Sequence, residues 1–156
     1  MYRQTLAWGR KGVGMTAISA VDIAIWDALG QSAKQPVFKL LGGKTKSKLP
    51  CYASKLYSQP LDSLAKEAKD YLDQGFKAMK LRLGWGPTDG AEGMYKNIEL
   101  IKTVRSVVGD NIDIMADVYM GWTFEYAKRM MRLIDNENLR WLEEPVIADD
   151  IDGYAD

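Results

Sequence analysis

At 156 residues, 47% of them hydrophobic and 27% charged, the chain has the length and balance of a globular protein with a real core. Lysine plus arginine and aspartate plus glutamate number 21 each, which leaves no global charge for holding nucleic acid or an anionic membrane. A single cysteine, Cys51, excludes an internal disulfide and a cysteine-rich zinc site, and the absence of histidine excludes Ser-His and Cys-His catalysis within the chain. Any metal would therefore be held by oxygen ligands, which favours a hard cation such as magnesium. No apolar run reads as long enough to span a bilayer, Met1–Gln4 is not a signal peptide, and the lone cysteine fits a reducing cytoplasm.

Residues 1–15, with Gly9, Gly12 and Gly14, read as a loop. Thr16 is placed to cap a helix running to about Ala33, in which Ile18, Val21, Ile25, Ala28 and Leu29 recur at helical spacing. Pro36 breaks that pattern. Val37–Leu41 reads as a short helix closed by Gly42-Gly43, and Lys44–Lys48 as a solvated basic connector. From Leu49 the pattern becomes strand, helix, strand, helix. Cys51–Tyr57 is the first strand candidate, with Cys51 a structural residue. Pro60 and Asp62 open a helix that ends at Gly75, its apolar face Leu64, Ala68, Tyr71 and Leu72. Phe76–Leu83 is the second strand, followed by a loop to about Gly93 and a helix from Met94 to Val108. Ile112–Val118 is the third strand. Thr123 caps a helix carrying Tyr126, Ala127, Met130, Met131 and Ile134, and Leu139–Glu143 is the last strand. The tryptophans and the Met130-Met131 pair read as core or interface.

Repeated βα units imply a parallel sheet with helical crossovers. The expected class is α/β: four βα strands open a doubly wound sheet or make half of a TIM-like (β/α) barrel, and the polar residues collected at the strand ends favour residues 49–156 as the first four βα strands of an incomplete barrel. A complete barrel takes about 250 residues, so the chain reads as a fragment.

Side chains alternate along a strand, so Met79, Leu81 and Leu83 share one face of the second strand and Ala78, Lys80 and Arg82 the other. In the third strand Asp113, Met115, Asp117 and Tyr119 share a face, and in the fourth Trp141 and Glu143 do. Lys80, Arg82, Asp117, Tyr119 and Glu143 can thus converge at the C-terminal mouth, where barrel active sites lie. Singly, each has a bland explanation. Lys80 or Arg82 would be a solvated strand-end charge, Asp117 a helix cap, and Glu143 a partner of Arg140. Their matched phase and position favour a site. Two carboxylates on neighbouring strands can share a divalent ion, and adjacent cations can bind an anionic substrate. Gly84-Trp85-Gly86-Pro87 lacks the spacing of a phosphate-binding loop and reads as a substrate-covering loop or a plain turn.

Ala17–Asp27, followed by Gln35–Gly43, resembles the N-terminal signature of the mandelate racemase and muconate lactonizing group of the enolase superfamily. Lys80-x-Arg82, Asp117-x-Tyr119 and Leu142-Glu143-Glu144-Pro145 follow in the order that group shows on successive barrel strands. The texture around Gly84–Gly90 is most similar to acid-sugar dehydratases of the rhamnonate type. The resemblance implies that residues 1–48 are the end of an α+β capping domain with its connector, and that Mg2+ is held by three carboxylates, with Asp117 and Glu143 as the first two and the third beyond Asp156. It implies a sugar-acid substrate, a homo-oligomer at full length, and a reaction that removes the proton alpha to a carboxylate and expels the beta-hydroxyl. A racemase, a cycloisomerase or an inactive barrel fragment are the alternatives. Many members carry a second lysine, acting as base, where this chain has Arg82. A guanidinium does not deprotonate in proteins. Arg82 is therefore expected to bind or polarise substrate, with the base a histidine on a later strand. Tyr119 stands where asparagine is common and is expected to touch substrate or donate a proton.

Overall fold

A helix of 21 residues, α1 (Val13–Ala33), begins ahead of the expected position. Gly12, at φ 63°, turns the chain so that its carbonyl accepts the Thr16 N–H at 3.1 Å. Thr16 is therefore not the cap. It lies inside the first turn and donates its hydroxyl back to Gly12 O. The residues before it are not all loop either, since Tyr2–Thr5 make a turn of 3-10 helix. Lys34, left-handed at φ 51°, ends α1, and after Pro36 a short helix α2 (Val37–Leu40) follows. The structure is a computed structural model describing residues 1–156. It divides into two units, Met1–Leu49 and Pro50–Asp156.

Only Asp22 and Asp27 are charged within α1, and most of its apolar side chains are exposed. By length and composition it is long and apolar enough to cross a membrane, which corrects the expectation that no run in this chain is. The miss has a simple origin. Two isolated aspartates interrupt the apolar run without making the helix polar on average.

In the second unit each stretch of alternating apolar residues forms a strand. β1 (Ala53–Leu56), β2 (Ala78–Arg82), β3 (Asp113–Asp117) and β4 (Leu139–Glu143) lie in one sheet in chain order, every neighbouring pair parallel. Parallel neighbours need crossovers, and these are α3 (Leu61–Asp73), α4 (Gly90–Val108) and α5 (Phe124–Ile134). A short helix, α6 (Ile151–Ala155), follows β4. This is the expected α/β class, four βα units laid out as in the first half of a barrel. Cys51 sits exposed, two residues ahead of β1.

The core lies between the sheet and its helices. Met79, Leu81, Ile114 and Ala116 present one face of β2 and β3. Leu64 and Ala68 of α3, Ile98, Ile101 and Val104 of α4, and Met130 of α5 are buried in the same cluster. Each large side chain so buried contributes about 1.5–3 kcal/mol. Of the pair read as core or interface, Met130 is in the core and Met131 is exposed, because the helical turn carries it one residue past Met130 and away from the core. Thr123 caps α5 as expected, its hydroxyl accepting the Tyr126 N–H.

Helix α4 starts at Gly90, ahead of the expected Met94, because the chain turns at Pro87–Asp89. There the Asp89 carboxylate accepts the Gly86 N–H at 2.9 Å. Gly93 lies inside α4, where a Cβ would meet Asp89 Cβ at 2.5 Å and Trp85 Cβ at 3.0 Å. Only glycine lets the turn pack so closely on the helix.

Candidate active site

The register of the sheet assembles the site. Arg82 of β2 lies opposite Asp117 of β3, and Asp117 lies opposite Glu143 of β4. The three residues form a row across the C-terminal ends of consecutive strands. Lys80 sits two residues before Arg82 and therefore on the same face.

Lys80 is 7% exposed, and its ammonium sits between the two carboxylates. Nζ donates to Asp117 Oδ2 at 3.0 Å and makes a short bond to Glu143 Oε1. Burial works against its charge, but the hydrogen bonds to Glu143 and Asp117 outweigh that, so its pKa is raised above the ordinary 10.5. Held between the two carboxylates, Lys80 is an ammonium here.

Every carboxylate oxygen of the pair has a partner. Asp117 is buried, and its Oδ1 accepts the Tyr119 N–H at 3.0 Å. Glu143 Oε2 accepts the indole N–H of Trp141 at 3.0 Å. Two of the bland alternatives fail on these contacts. Asp117 caps no helix, and Arg140 pairs with Asp113 instead of Glu143. Arg82 approaches Asp117 Oδ2 through Nε at 3.6 Å, with its side chain 41% exposed. Tyr119 is exposed at the same mouth, its ring centre 5.4 Å from the Arg82 guanidinium carbon. All five expected residues thus fall in one place.

Sequence reasoning missed two neighbours. Trp141, read as core or interface, is exposed. It points its indole at Glu143 and stacks edge-on against Tyr52 at 5.7 Å. Tyr57, just after β1, holds its ring centre 5.1 Å from the Arg82 guanidinium carbon. A search for charges at strand ends passes over β1, whose end is aromatic. The period-2 pattern does not carry the signal either, because an irregularity between Ala53 and Leu56 puts both of them on the core face and shifts the phase before Tyr57.

The turn after β2 is pinned in place. Asn97 of α4 is fully buried and meets Trp85 twice, accepting its N–H at 3.3 Å and donating to its carbonyl at 2.9 Å. The indole of Trp122 donates to that same carbonyl at 2.9 Å. Such a turn is a built element of the mouth, not a phosphate cradle.

The donor set fits a hard divalent cation. Two carboxylates on adjacent strands converge on one point, and the structure already holds a cation there, the Lys80 ammonium. No cluster of three acidic, cysteine or histidine ligands forms within these residues.

A parallel sheet with acidic strand ends on β3 and β4 and cations on β2 defines a class, a parallel α/β scaffold with its charged groups gathered at the C-terminal ends of the strands. Residues 63–156 match the enolase C-terminal domain-like family, residues 1–42 match the mandelate racemase / muconate lactonizing enzyme N-terminal domain, and the chain belongs to that family. It is 40% identical, over all 156 residues, to an L-rhamnonate dehydratase of Saccharopolyspora erythraea, and spans 37% of that relative's length. Among solved structures it resembles the 3,6-anhydro-D-galactonate cycloisomerase of Zobellia galactanivorans, at TM-score 0.87 and 32% identity, covering 99% of this chain and 41% of that one. It also resembles the rhamnonate dehydratase of Gibberella zeae complexed with magnesium, at TM-score 0.83 and 35% identity, covering 99% of this chain and 36% of that one.

Proposed function

We propose that the chain is the part of a magnesium-dependent acid-sugar dehydratase that carries two metal ligands and the substrate-facing cations, with residues 1–48 belonging to a capping domain. The observation that carries this reading is the convergence of Lys80, Asp117 and Glu143 on one point at the ends of three consecutive strands. Asp117 and Glu143 would hold Mg2+ through their carboxylate oxygens. When bound, the ion supplies Lewis-acid stabilisation of the charge that builds on a substrate carboxylate as the alpha proton leaves.

The remaining roles fall to the side chains. Lys80 stays an ammonium and lends positive charge to the same oxygens. Arg82 binds the substrate carboxylate, and Tyr119 presents its phenol beside it. With Lys80 serving as an ammonium and Arg82 unable to deprotonate, this reading gives proton abstraction to a histidine that these 156 residues do not contain. On this reading the 156-residue chain by itself does not turn over sugar acids. Helix α1 belongs to the capping domain and not to a membrane. The family match over residues 1–42 supports this, as do Asp22 and Asp27 in the middle of the helix.

The test is an assay for 2-keto-3-deoxy acid formation, run on the whole open reading frame with Mg2+ and a panel of sugar acids. Asp117→Asn and Glu143→Gln should each lower turnover by ~10²- to 10³-fold, the loss typical of a transition-state charge left unstabilised. Failure to form keto acid from any member of the panel would sink the dehydratase reading. Likeness to the cycloisomerase favours the second reading, a racemase or cycloisomerase. Isomerised product without loss of water would establish it.

A further inference from the structure

Charge pairing at the mouth leaves one cation over. Lys80 takes an oxygen from each carboxylate, while Arg82 approaches Asp117 through Nε at 3.6 Å, too far for a hydrogen bond. Its two terminal nitrogens donate no hydrogen bond, and the side chain is 41% exposed. A flexible arginine two residues along the strand from such a cluster would ordinarily fold its planar fork onto the acids as a bidentate pair. Here the guanidinium carbon lies instead 5.1 Å from the ring centre of Tyr57 and 5.4 Å from that of Tyr119. Tyr57 follows β1 and Tyr119 follows β3, so each strand flanking β2 lends a ring.

The backbone around Tyr119 is arranged for this. Tyr119 and Met120 are both left-handed, at φ 56° and 58°, a conformation that non-glycine residues rarely adopt in succession. It is held by Asp117 Oδ1, which accepts the Tyr119 N–H at 3.0 Å, and by Glu144 O, which accepts the Met120 N–H at 2.7 Å. The turn thus joins the ring over Arg82 to the carboxylate beneath it.

We infer that Tyr57 and Tyr119 are positioning residues. They hold the Arg82 guanidinium at the mouth with both terminal nitrogens open, as a preformed two-pronged receptor for the carboxylate of a sugar acid. The inference rests on the functional reading above for the sugar-acid part alone. The receptor itself rests on the geometry. Two partly exposed cation–π contacts bias Arg82 toward the open arrangement by roughly 5- to 30-fold. That is enough to preorganise the fork and weak enough to let it settle onto an anion.

The test is NMR of the arginine side-chain Nε–Hε signals of the full 156-residue chain, with acetate as a general carboxylate probe and L-rhamnonate plus Mg2+ as the sugar-acid probe. The Arg82 signal should be displaced by the ring currents. Tyr57→Phe should keep that displacement and bind both probes within about twofold of the parent. Tyr57→Leu should lose about half of it and bind both probes roughly 2- to 5-fold more weakly, with backbone amide signals elsewhere unchanged. An Arg82 signal unmoved by Tyr57→Leu, or a Phe variant as weak as the Leu variant, would overturn the positioning role. If acetate moves Arg82 but L-rhamnonate binds no tighter than acetate, the sugar-acid reading fails and the receptor stands. If neither probe moves Arg82, the receptor is refuted.

Discussion

The two units of this chain use apolar residues in opposite ways. Residues 50–156 spread theirs at strand and helix periods, and nearly every apolar side chain in phase is buried. Residues 1–49 concentrate theirs in one helix, yet Ile23, Ile25, Val21 and Leu29 are all about half exposed or more. The difference teaches that apolar content and burial separate when a helix lacks a partner of complementary shape within its own unit. Within the second unit the rule also inverts at the strand ends, since Lys80 and Asp117 are buried there with the leucines.

That inversion gives the largest expected effect. Lys80→Met keeps the length of the stem and removes the charge that neutralises two carboxylates. Breaking a buried pair by deleting one partner costs about 3–5 kcal/mol. Urea unfolding of the variant in EDTA should show a loss of that size, and millimolar Mg2+ should restore much of it, because the ion then supplies the missing positive charge. A variant as stable as the parent in EDTA would mean that the carboxylates are solvated and that the burial contrast between the units is smaller than it looks.

A smaller effect is expected behind the site. Asn97 has no exposure, and both ends of its amide are spent on the Trp85 backbone. Asn97→Ala leaves the Trp85 N–H without its partner and should cost about 2 kcal/mol. Tryptophan fluorescence should also report a looser turn, through Trp85 and Trp122. Unchanged emission together with unchanged stability would show that the turn is held by Trp122 and Asp89 alone.

These contrasts bear on how much of the molecule its sequence discloses. The strands and crossovers of residues 50–156 were legible because a half-buried strand must alternate and a crossover helix must present a stripe. Met79, Leu81 and Ile101 could hardly lie elsewhere. The charged row was legible for the same reason, since period 2 fixes which residues share a face. Partner choice was not legible. Arg140 could have taken Glu143 but took Asp113, and Trp141 turned from a presumed packing residue into the donor that orients Glu143. Such choices depend on distances between strands, which spacing along one strand does not encode. The start of α1 was misplaced because Gly12 caps through a left-handed backbone, whereas Thr16 carries the more familiar capping side chain.

The smallest expected effect tests the other side of the comparison. Ile23 of α1 is 68% exposed. Burying a whole isoleucine side chain is worth about 1.5–3 kcal/mol, so the third of it that is covered accounts for under about 1 kcal/mol. Ile23→Ala also gains about 0.4 kcal/mol in helix propensity, because alanine frees the backbone from the crowding of a β-branched side chain. The net change in the local stability of α1, read from amide hydrogen exchange, should be about 0.5 kcal/mol or less. The same substitution at the fully buried Ile101 should cost about 2–5 kcal/mol. A loss at Ile23 approaching that at Ile101, and growing with protein concentration, would mean that α1 is covered by another copy of the chain in solution. The contrast between the two units would then belong to the single chain and not to the protein at work.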